Sequence, residues 1–215
     1  MNSVRILIAD DHELFRRGVA AELALVPGWT VAAEAGNGRD AVELAGRLKP
    51  DIVVLDLTMP ELNGLEAARK IVAAEPTARI LILTAHESEQ LVREVLSAGA
   101  RGYVLKSDAG RTLVAALQAL LDGRFFFTSS VARMVLDGYL RNESQDGDPL
   151  HTLSAREREI VQLLAEGNST KDVARALKIS VNTAETHRSN IMRKMGFGSL
   201  PDLVRYAIRN RIIDP

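Results

Sequence analysis

Cysteine is missing from all 215 residues, which excludes a disulfide framework, a thiolate metal site and a cysteine nucleophile. No stretch approaches the ~18 consecutive apolar residues that a bilayer span needs, so no membrane is expected among the partners. A signal-peptide pattern is also absent, because Asp10, Asp11 and Glu13 follow the first apolar run at once; a soluble, cytoplasmic chain is the expectation. Neither an internal repeat nor a low-complexity tract occurs. Net charge is nearly absent too, at −1, but that average conceals an asymmetry. Residues 1–150 carry 16 basic and 21 acidic side chains, whereas residues 151–215 carry 11 and 7. An acidic part joined to a basic part hints at a nucleic-acid contact in the basic one. Apolar residues at 47 % exclude general disorder, and the length suits two domains better than one.

Over the first ~125 residues two periods alternate. Short apolar, β-branched runs appear at Val4–Ala9, Thr30–Ala35, Ile52–Leu55, Ile80–Leu83 and Gly102–Leu105. Their near-continuous apolar character fits strands covered on both faces. Between them, Glu13–Leu25, Arg39–Leu48, Gly64–Ala74, Glu89–Ser97 and Ala109–Leu121 have helical spacing. Five strand–helix units in alternation predict a five-stranded, doubly wound parallel sheet, an α/β fold. In such sheets ligands bind beyond the C-terminal strand ends, near the point where strand order reverses.

Those ends carry chemistry. Asp10 and Asp11 close the first strand, Asp56 the third, Thr84 the fourth and Lys106 the fifth. Three carboxylates, a hydroxyl and an ammonium thus converge on one edge. Carboxylates a few ångströms apart repel, and a proton or cation must offset that. Hard oxygen donors with room for water suit Mg²⁺, and an Asp beside it can act as a covalent phosphoryl acceptor. Lone aspartates at strand ends, such as Asp40, Asp51 and Asp108, read as turn or capping residues. His12 reads as a solvated neighbour of the acidic pair.

The segments "ILIADDHELFRRG", "DIVVLDLTMPELNGLE", "ILTAH" and "GARGYVLK", in this order, resemble the receiver domain of two-component response regulators, a flavodoxin-like fold. The resemblance covers about residues 3–125. It implies that Asp56 is the phosphoacceptor for a sensor histidine kinase and that Asp10, Asp11, Asp56 and the Leu57 carbonyl hold Mg²⁺. It implies further that Thr84 and Lys106 contact the phosphoryl oxygens and that Tyr103 is an aromatic switch. Pro60 and Gly64 match the loop after the acceptor. The family often places Pro directly after the Lys, where this chain has Ser107. Thr58 and His86 sit where that family varies, facing the path of hydrolytic water.

Thr128–Leu140 reads as a further helix with Val131, Val135 and Leu136 on one stripe, and Phe125–Phe127 as an aromatic run that packs it on the sheet domain. Arg141–Pro149 has the composition of a linker. Beyond it, Ser154–Glu166, Thr170–Leu177, Val181–Met195 and Leu200–Arg209 read as four helices with short joints. The tight joint Lys178–Ser180 between the second and third is the helix-turn-helix pattern, whose second helix enters the major groove. On that helix Val181, Ala184, Ile191 and Met195 form the expected buried stripe. Asn182, Glu185, Thr186, Ser189 and Arg193 occupy the opposite face. Met192 and Met195 read as core.

The stretch "LSAREREIVQLLAEGNSTKDVARALKISVNTAETHRSNIMRKMG" resembles the four-helix DNA-binding domain of the NarL/FixJ/LuxR regulators, and the resemblance runs through about residue 210. Three divisions follow: a receiver at 1–125, a linker helix and tether at 126–150, and a small all-α DNA-binding domain at 151–215. Candidate DNA contacts are Ser169, Thr170, Lys171, Ser180, Asn182, Thr183, Glu185, Thr186, His187, Arg188, Ser189, Arg193 and Lys194. That family usually has Val-Lys where this chain has Ala184 and Glu185. A carboxylate in place of a groove-facing cation removes a phosphate or guanine contact and adds the capacity to read a cytosine amino group. Leu203, Val204 and Ala207 of the last helix are the candidate dimer contact, and a two-fold protein predicts an inverted-repeat site on double-stranded DNA.

The leading expectation is a transcription regulator, not an enzyme, switched by phosphorylation of Asp56 and homodimeric when phosphorylated or DNA-bound. Two alternatives stand beside it. One is a regulator acting through protein contacts without specific DNA binding, a reading kept open by Glu185. The other is a haloacid-dehalogenase-type phosphatase, against which the adjacent Asp10–Asp11 and the late Asp56 argue.

Overall fold

The computed structural model describes residues 3–133 and 153–214. They form two compact units.

In the first unit strands and helices alternate: β1 (Val4–Ala9), α1 (Glu13–Ala24), β2 (Trp29–Ala35), α2 (Gly38–Leu48), β3 (Ile52–Leu55), α3 (Gly64–Ala74), β4 (Ile80–Thr84), α4 (Glu89–Ser97), β5 (Gly102–Leu105), α5 (Ala109–Leu121) and β6 (Phe126–Phe127). A 3₁₀ turn, Lys106–Asp108, joins β5 to α5. Every residue of β3 and β4 is buried, as expected for central strands covered on both faces. Asn37 and Asn63 start α2 and α3 by accepting the backbone N–H groups of Asp40 and Glu66, satisfying donors that a helix leaves open at its first turn. On one face of the sheet Ile6, Ile8, Ile52, Val54, Leu81, Leu83 and Val104 pack against Val19 and Leu23 of α1 and Leu113, Leu117 and Leu120 of α5.

All strand pairs are parallel, in the order β2-β1-β3-β4-β5-β6. The order reverses between β1 and β3, which places the crevice for a ligand beyond Ala9 and Leu55. The sheet therefore has six strands, where periodicity predicts five. The sixth comes from the aromatic run: Phe126 and Phe127 pair with Gly102 and Tyr103. Phe126 packs against the sheet core, while Phe125 is 62 % exposed. Aromatic side chains suit a half-buried edge, and a two-residue strand leaves little open edge behind it.

Residues 129–133 are helical, and Val131 is buried. The rest of the helix expected to Leu140, with Val135 and Leu136, and the tether Arg141–Pro149 lie outside the described residues.

The second unit is all-helical: α6 (Ala155–Ala165), α7 (Thr170–Leu177), α8 (Val181–Lys194) and α9 (Leu200–Arg209). Ser154 and Ser169 close capping boxes with Glu157 and Asp172, and Ser180 caps α8 through the Thr183 N–H. The core gathers Leu153, Ile160, Leu164, Val173, Leu177, Ala184, Ile191, Leu203 and Ala207. Among the described residues, no helix is long and apolar enough to cross a membrane.

Candidate functional site

The ladder between β1 and β3 continues one step past both strands, since the Asp56 N–H donates to the Ala9 carbonyl at 2.8 Å. That bond sets Asp10 and Asp56 side by side at the rim. Both are buried. Lys106, just past β5, extends between them: its Nζ lies 2.7 Å from Asp10 Oδ2 and 2.8 Å from Asp56 Oδ2. Ligand atoms of Asp10, Asp11, His12 and Asp56 all fall within 4.8 Å of one another. Asp11 and His12 are exposed, and His12 Nδ1 sits 2.8 Å from Asp11 Oδ1.

Two buried carboxylates face one ammonium, and burial governs the ionisation of Asp56. Burial pushes its pKa from an ordinary 3.8 up to about 6, against the hydrogen bond and charge of Lys106; Asp10 adds to the rise, and the Leu57 N–H opposes it. Burial alone would depress the Lys106 ammonium, but its bonds to Asp10 and Asp56 outweigh that and hold it above the usual range. An oxygen-lined pocket with surplus negative charge fits a hard divalent cation.

The loop after Asp56 is tightly placed. Leu57 donates its N–H to Asp56 Oδ1 at 2.7 Å and accepts the Gly64 N–H at 2.8 Å on its carbonyl. A Cβ on Gly64 would stand 1.9 Å from the Asp56 carbonyl oxygen, so only glycine lets α3 begin this close.

Thr84 and Tyr103 are fully buried, and His86 links them. The His86 N–H donates to Thr84 Oγ1 at 3.2 Å, and the Tyr103 hydroxyl donates to the His86 carbonyl at 2.7 Å. The His86 ring meets Thr58 Oγ1 at 3.0 Å, so the loops after β3 and β4 are bridged beside the acidic pocket. Phe15 and Arg16 also reach the site, although sequence reasoning passed over both. Lys106 Nζ lies 4.7 Å from the Phe15 ring centroid. Arg16 donates from Nη1 to the Asp10 carbonyl at 2.6 Å and from Nε to Glu34 at 2.9 Å. Both sit in the first turn of α1, a few residues past the acidic pair, but their spacing carries no signal of these contacts.

In the second unit, α7 is capped by Lys178 in the left-handed region at φ 54°, and α8 begins three residues later, at Val181. Asn182, Thr183, Glu185, Thr186, Arg188, Ser189, Arg193 and Lys194 are exposed along α8, and His187 is half-buried. Ser169, Lys171 and Ser180 are exposed and Thr170 half-buried. Ser169 and Ser180 serve as helix caps, and Lys194 pairs with Glu157 at 2.8 Å. Burial opposes ionisation of Glu157, but Lys194 and Ser154 outweigh it and lower its pKa.

Two expectations change. Val181, expected in the buried stripe, is 38 % exposed, because the first residue of a helix has no preceding turn to cover it. Leu203 and Ala207, expected in a dimer contact, are fully buried in the unit's own core. A side chain consumed in that way offers nothing to a second copy; of the three, only Val204 keeps exposed surface.

Residues 6–118 match the response regulator receiver domain, and residues 151–207 the bacterial regulatory proteins of the luxR family. The transcriptional regulatory protein DegU of Brevibacillus brevis is 34 % identical over 97 % of this chain and 94 % of its own length. This chain belongs to the LuxR-type two-component response regulators. Solved response regulators agree. A LuxR-family member from Aurantimonas sp. SI85-9A1 superposes with a TM-score of 0.62 at 37 % identity, covering 65 % of this chain and 99 % of its own. RcsB of Salmonella typhimurium gives 0.59 at 28 %, covering 96 % and 98 %. These response regulators are transcription regulators rather than enzymes, and the phosphatase alternative falls with that assignment.

Proposed function

We propose that this response regulator is a DNA-binding switch thrown by Mg²⁺-dependent phosphorylation of Asp56 by a sensor histidine kinase. The observation that carries the reading is the meeting of Asp10, Asp56 and Lys106, with the ammonium within 2.8 Å of both carboxylates at one rim of the sheet. Asp10, Asp11, Asp56 and the Leu57 carbonyl are the residues for the ion, which supplies charge neutralisation for an incoming phosphoryl group. Asp56 is the nucleophile. Thr84 and Lys106 hold the phosphoryl oxygens by hydrogen bond and charge. A Thr84 hydroxyl drawn toward Asp56 pulls on the His86 loop that Tyr103 fastens from the other side. Phosphorylation then shifts a pre-existing equilibrium of the receiver. We assign the receiver to 1–125, the linker helix and tether to 126–150 and the output domain to 151–215.

The output domain places α8 in the major groove, with Asn182, Glu185, Thr186, Ser189 and Arg193 toward base edges and Lys171 and Arg188 toward phosphates. A homodimer on an inverted repeat of double-stranded DNA is the working assembly, and Val204, the candidate of the three that keeps exposed surface, is the residue for that contact. RcsB has been solved in a DNA complex and as dimers on DNA, which supports this arrangement. The cytoplasm is the compartment where kinase and DNA are both within reach. Acetyl phosphate with Mg²⁺ should phosphorylate wild type and leave Asp56→Asn unmodified by intact-mass measurement. Equal modification of both proteins overturns the acceptor assignment.

A further inference from the structure

The Lys106 ammonium has three neighbours, and only two of them are carboxylates. Asp10 and Asp56 take it at 2.7 and 2.8 Å, while the Phe15 ring lies beneath it at 4.7 Å to the centroid. The carboxylate oxygens are the same atoms that a divalent cation would claim. The ring face is not, so it is the one partner whose hold on the ammonium does not compete with metal or phosphoryl group. Phe15 is itself fixed: it sits in the first turn of α1 and packs against the core formed by the sheet, α1 and α5. The side chain of Lys106 is only 15 % exposed, and a cation over an aromatic face is held more strongly when water is excluded. The next residue acts on the opposite partner, since Arg16 grips the Asp10 carbonyl at 2.6 Å and is steadied by Glu34. Consecutive residues of α1 thus fasten both sides of the Asp10–Lys106 pair.

We propose that Phe15 is a positioning residue for phosphoryl transfer, holding Lys106 over its ring so that the ammonium stands ready beside Asp56. The role rests on Asp56 being the acceptor. In the transfer from acetyl phosphate, an Asp56 carboxylate oxygen forms the bond to phosphorus as the phosphorus–oxygen bond to acetate breaks, and acetate leaves with the electron pair. The ring acts only through Lys106. A long, flexible side chain otherwise loses conformational freedom when it is drawn to the phosphoryl oxygens, and the ring removes that freedom beforehand.

The test uses the full chain with Phe15→Leu, which keeps apolar bulk but no π face, and Phe15→Tyr, which keeps the face. Phe15→Met serves as a second apolar variant if the Leu variant fails to fold. In metal-free protein the Lys106 ε-methylene proton resonances are expected upfield in wild type and Phe15→Tyr, and at ordinary positions in Phe15→Leu. At saturating acetyl phosphate and Mg²⁺, Phe15→Leu should be phosphorylated about tenfold more slowly, with half-saturating Mg²⁺ little changed and Phe15→Tyr near wild type. A Leu variant as fast as wild type, or a Tyr variant as slow as Leu, would show that the ring is only core packing and overturn the proposal. Unshifted Lys106 resonances in wild type would overturn the contact itself. A wild type that keeps the shifted resonances yet takes up no phosphoryl group would sink the acceptor reading instead, and the role of the ring with it.

Discussion

Replacing Asp56 by Asn should change how stability depends on pH, and the sign follows from the burial of this carboxyl. Its pKa is about 6 in the folded protein against an ordinary 3.8, so the folded state binds a proton where the unfolded chain does not. Stability contributed by this group therefore rises as pH falls through 6 and levels off near 4, once the unfolded carboxyl is protonated too. That interval corresponds to about 3 kcal/mol at most. Asparagine cannot titrate, so the stability of wild type minus that of Asp56→Asn removes the contribution of every acid that does not interact with Asp56. Urea unfolding of both proteins, metal-free, at steps from about pH 7 to about pH 4 provides the measurement. Wild type should gain on the variant by about 2–3 kcal/mol across that range. Mg²⁺ needs the ionised carboxylate, so its apparent affinity for wild type should fall about tenfold per pH unit below 6. A wild type that loses stability relative to the variant as pH falls would refute the reasoning. It would mean that Lys106 outweighs burial and holds Asp56 ionised.

Gly64→Ala puts a Cβ 1.9 Å from the Asp56 carbonyl oxygen, and a cost of about 3 kcal/mol or more in urea unfolding is expected; a variant within 1 kcal/mol of wild type would show that the loop yields easily. Lys178→Gly relieves a left-handed residue at the end of α7 and should stabilise the second unit by about 1 kcal/mol in thermal unfolding, whereas a lower midpoint would contradict that account. Glu185→Ala removes an exposed carboxylate from the face of α8 proposed to read bases. In competition between duplexes, wild type should prefer cytosine at one position of each half-site by about 1–3 kcal/mol, and the variant should lose that preference; identical selectivity would exclude Glu185 from base reading.

Much of the receiver was legible because its strands are short apolar runs between Gly and Pro punctuation, and parallel topology puts all their C-terminal ends on one edge. Asp10, Asp56 and Lys106, which the structure sets within hydrogen-bond reach, could thus be placed at one edge from spacing alone. β6 was not legible, since a two-residue strand carries no period and exists only by pairing with β5. The apolar face of α9 was recognised, but Leu203 and Ala207 show that a stripe reveals which side is covered and not by what. Phe15 and His86 were harder still. Their contacts run between elements, set by the direction of a ring over a neighbouring strand end or loop, and linear spacing holds no record of that. The helix-turn-helix emerged clearly from two helical stretches around the tight joint Lys178–Ser180, and the structure adds Ser169 and Ser180 as caps of its helices.

The central claim is that charge placed on Asp56 changes how the output domain engages DNA. Beryllofluoride, the phosphomimetic present in a solved isolated RcsB receiver, supplied with Mg²⁺ allows a direct test by fluorescence anisotropy on a duplex selected by this protein from randomised sequence. Wild type should bind that duplex more tightly with beryllofluoride than without it, while Asp56→Asn should show one unchanged affinity. Equal affinities in wild type with and without the mimic, or a matching gain in Asp56→Asn, would contradict the account.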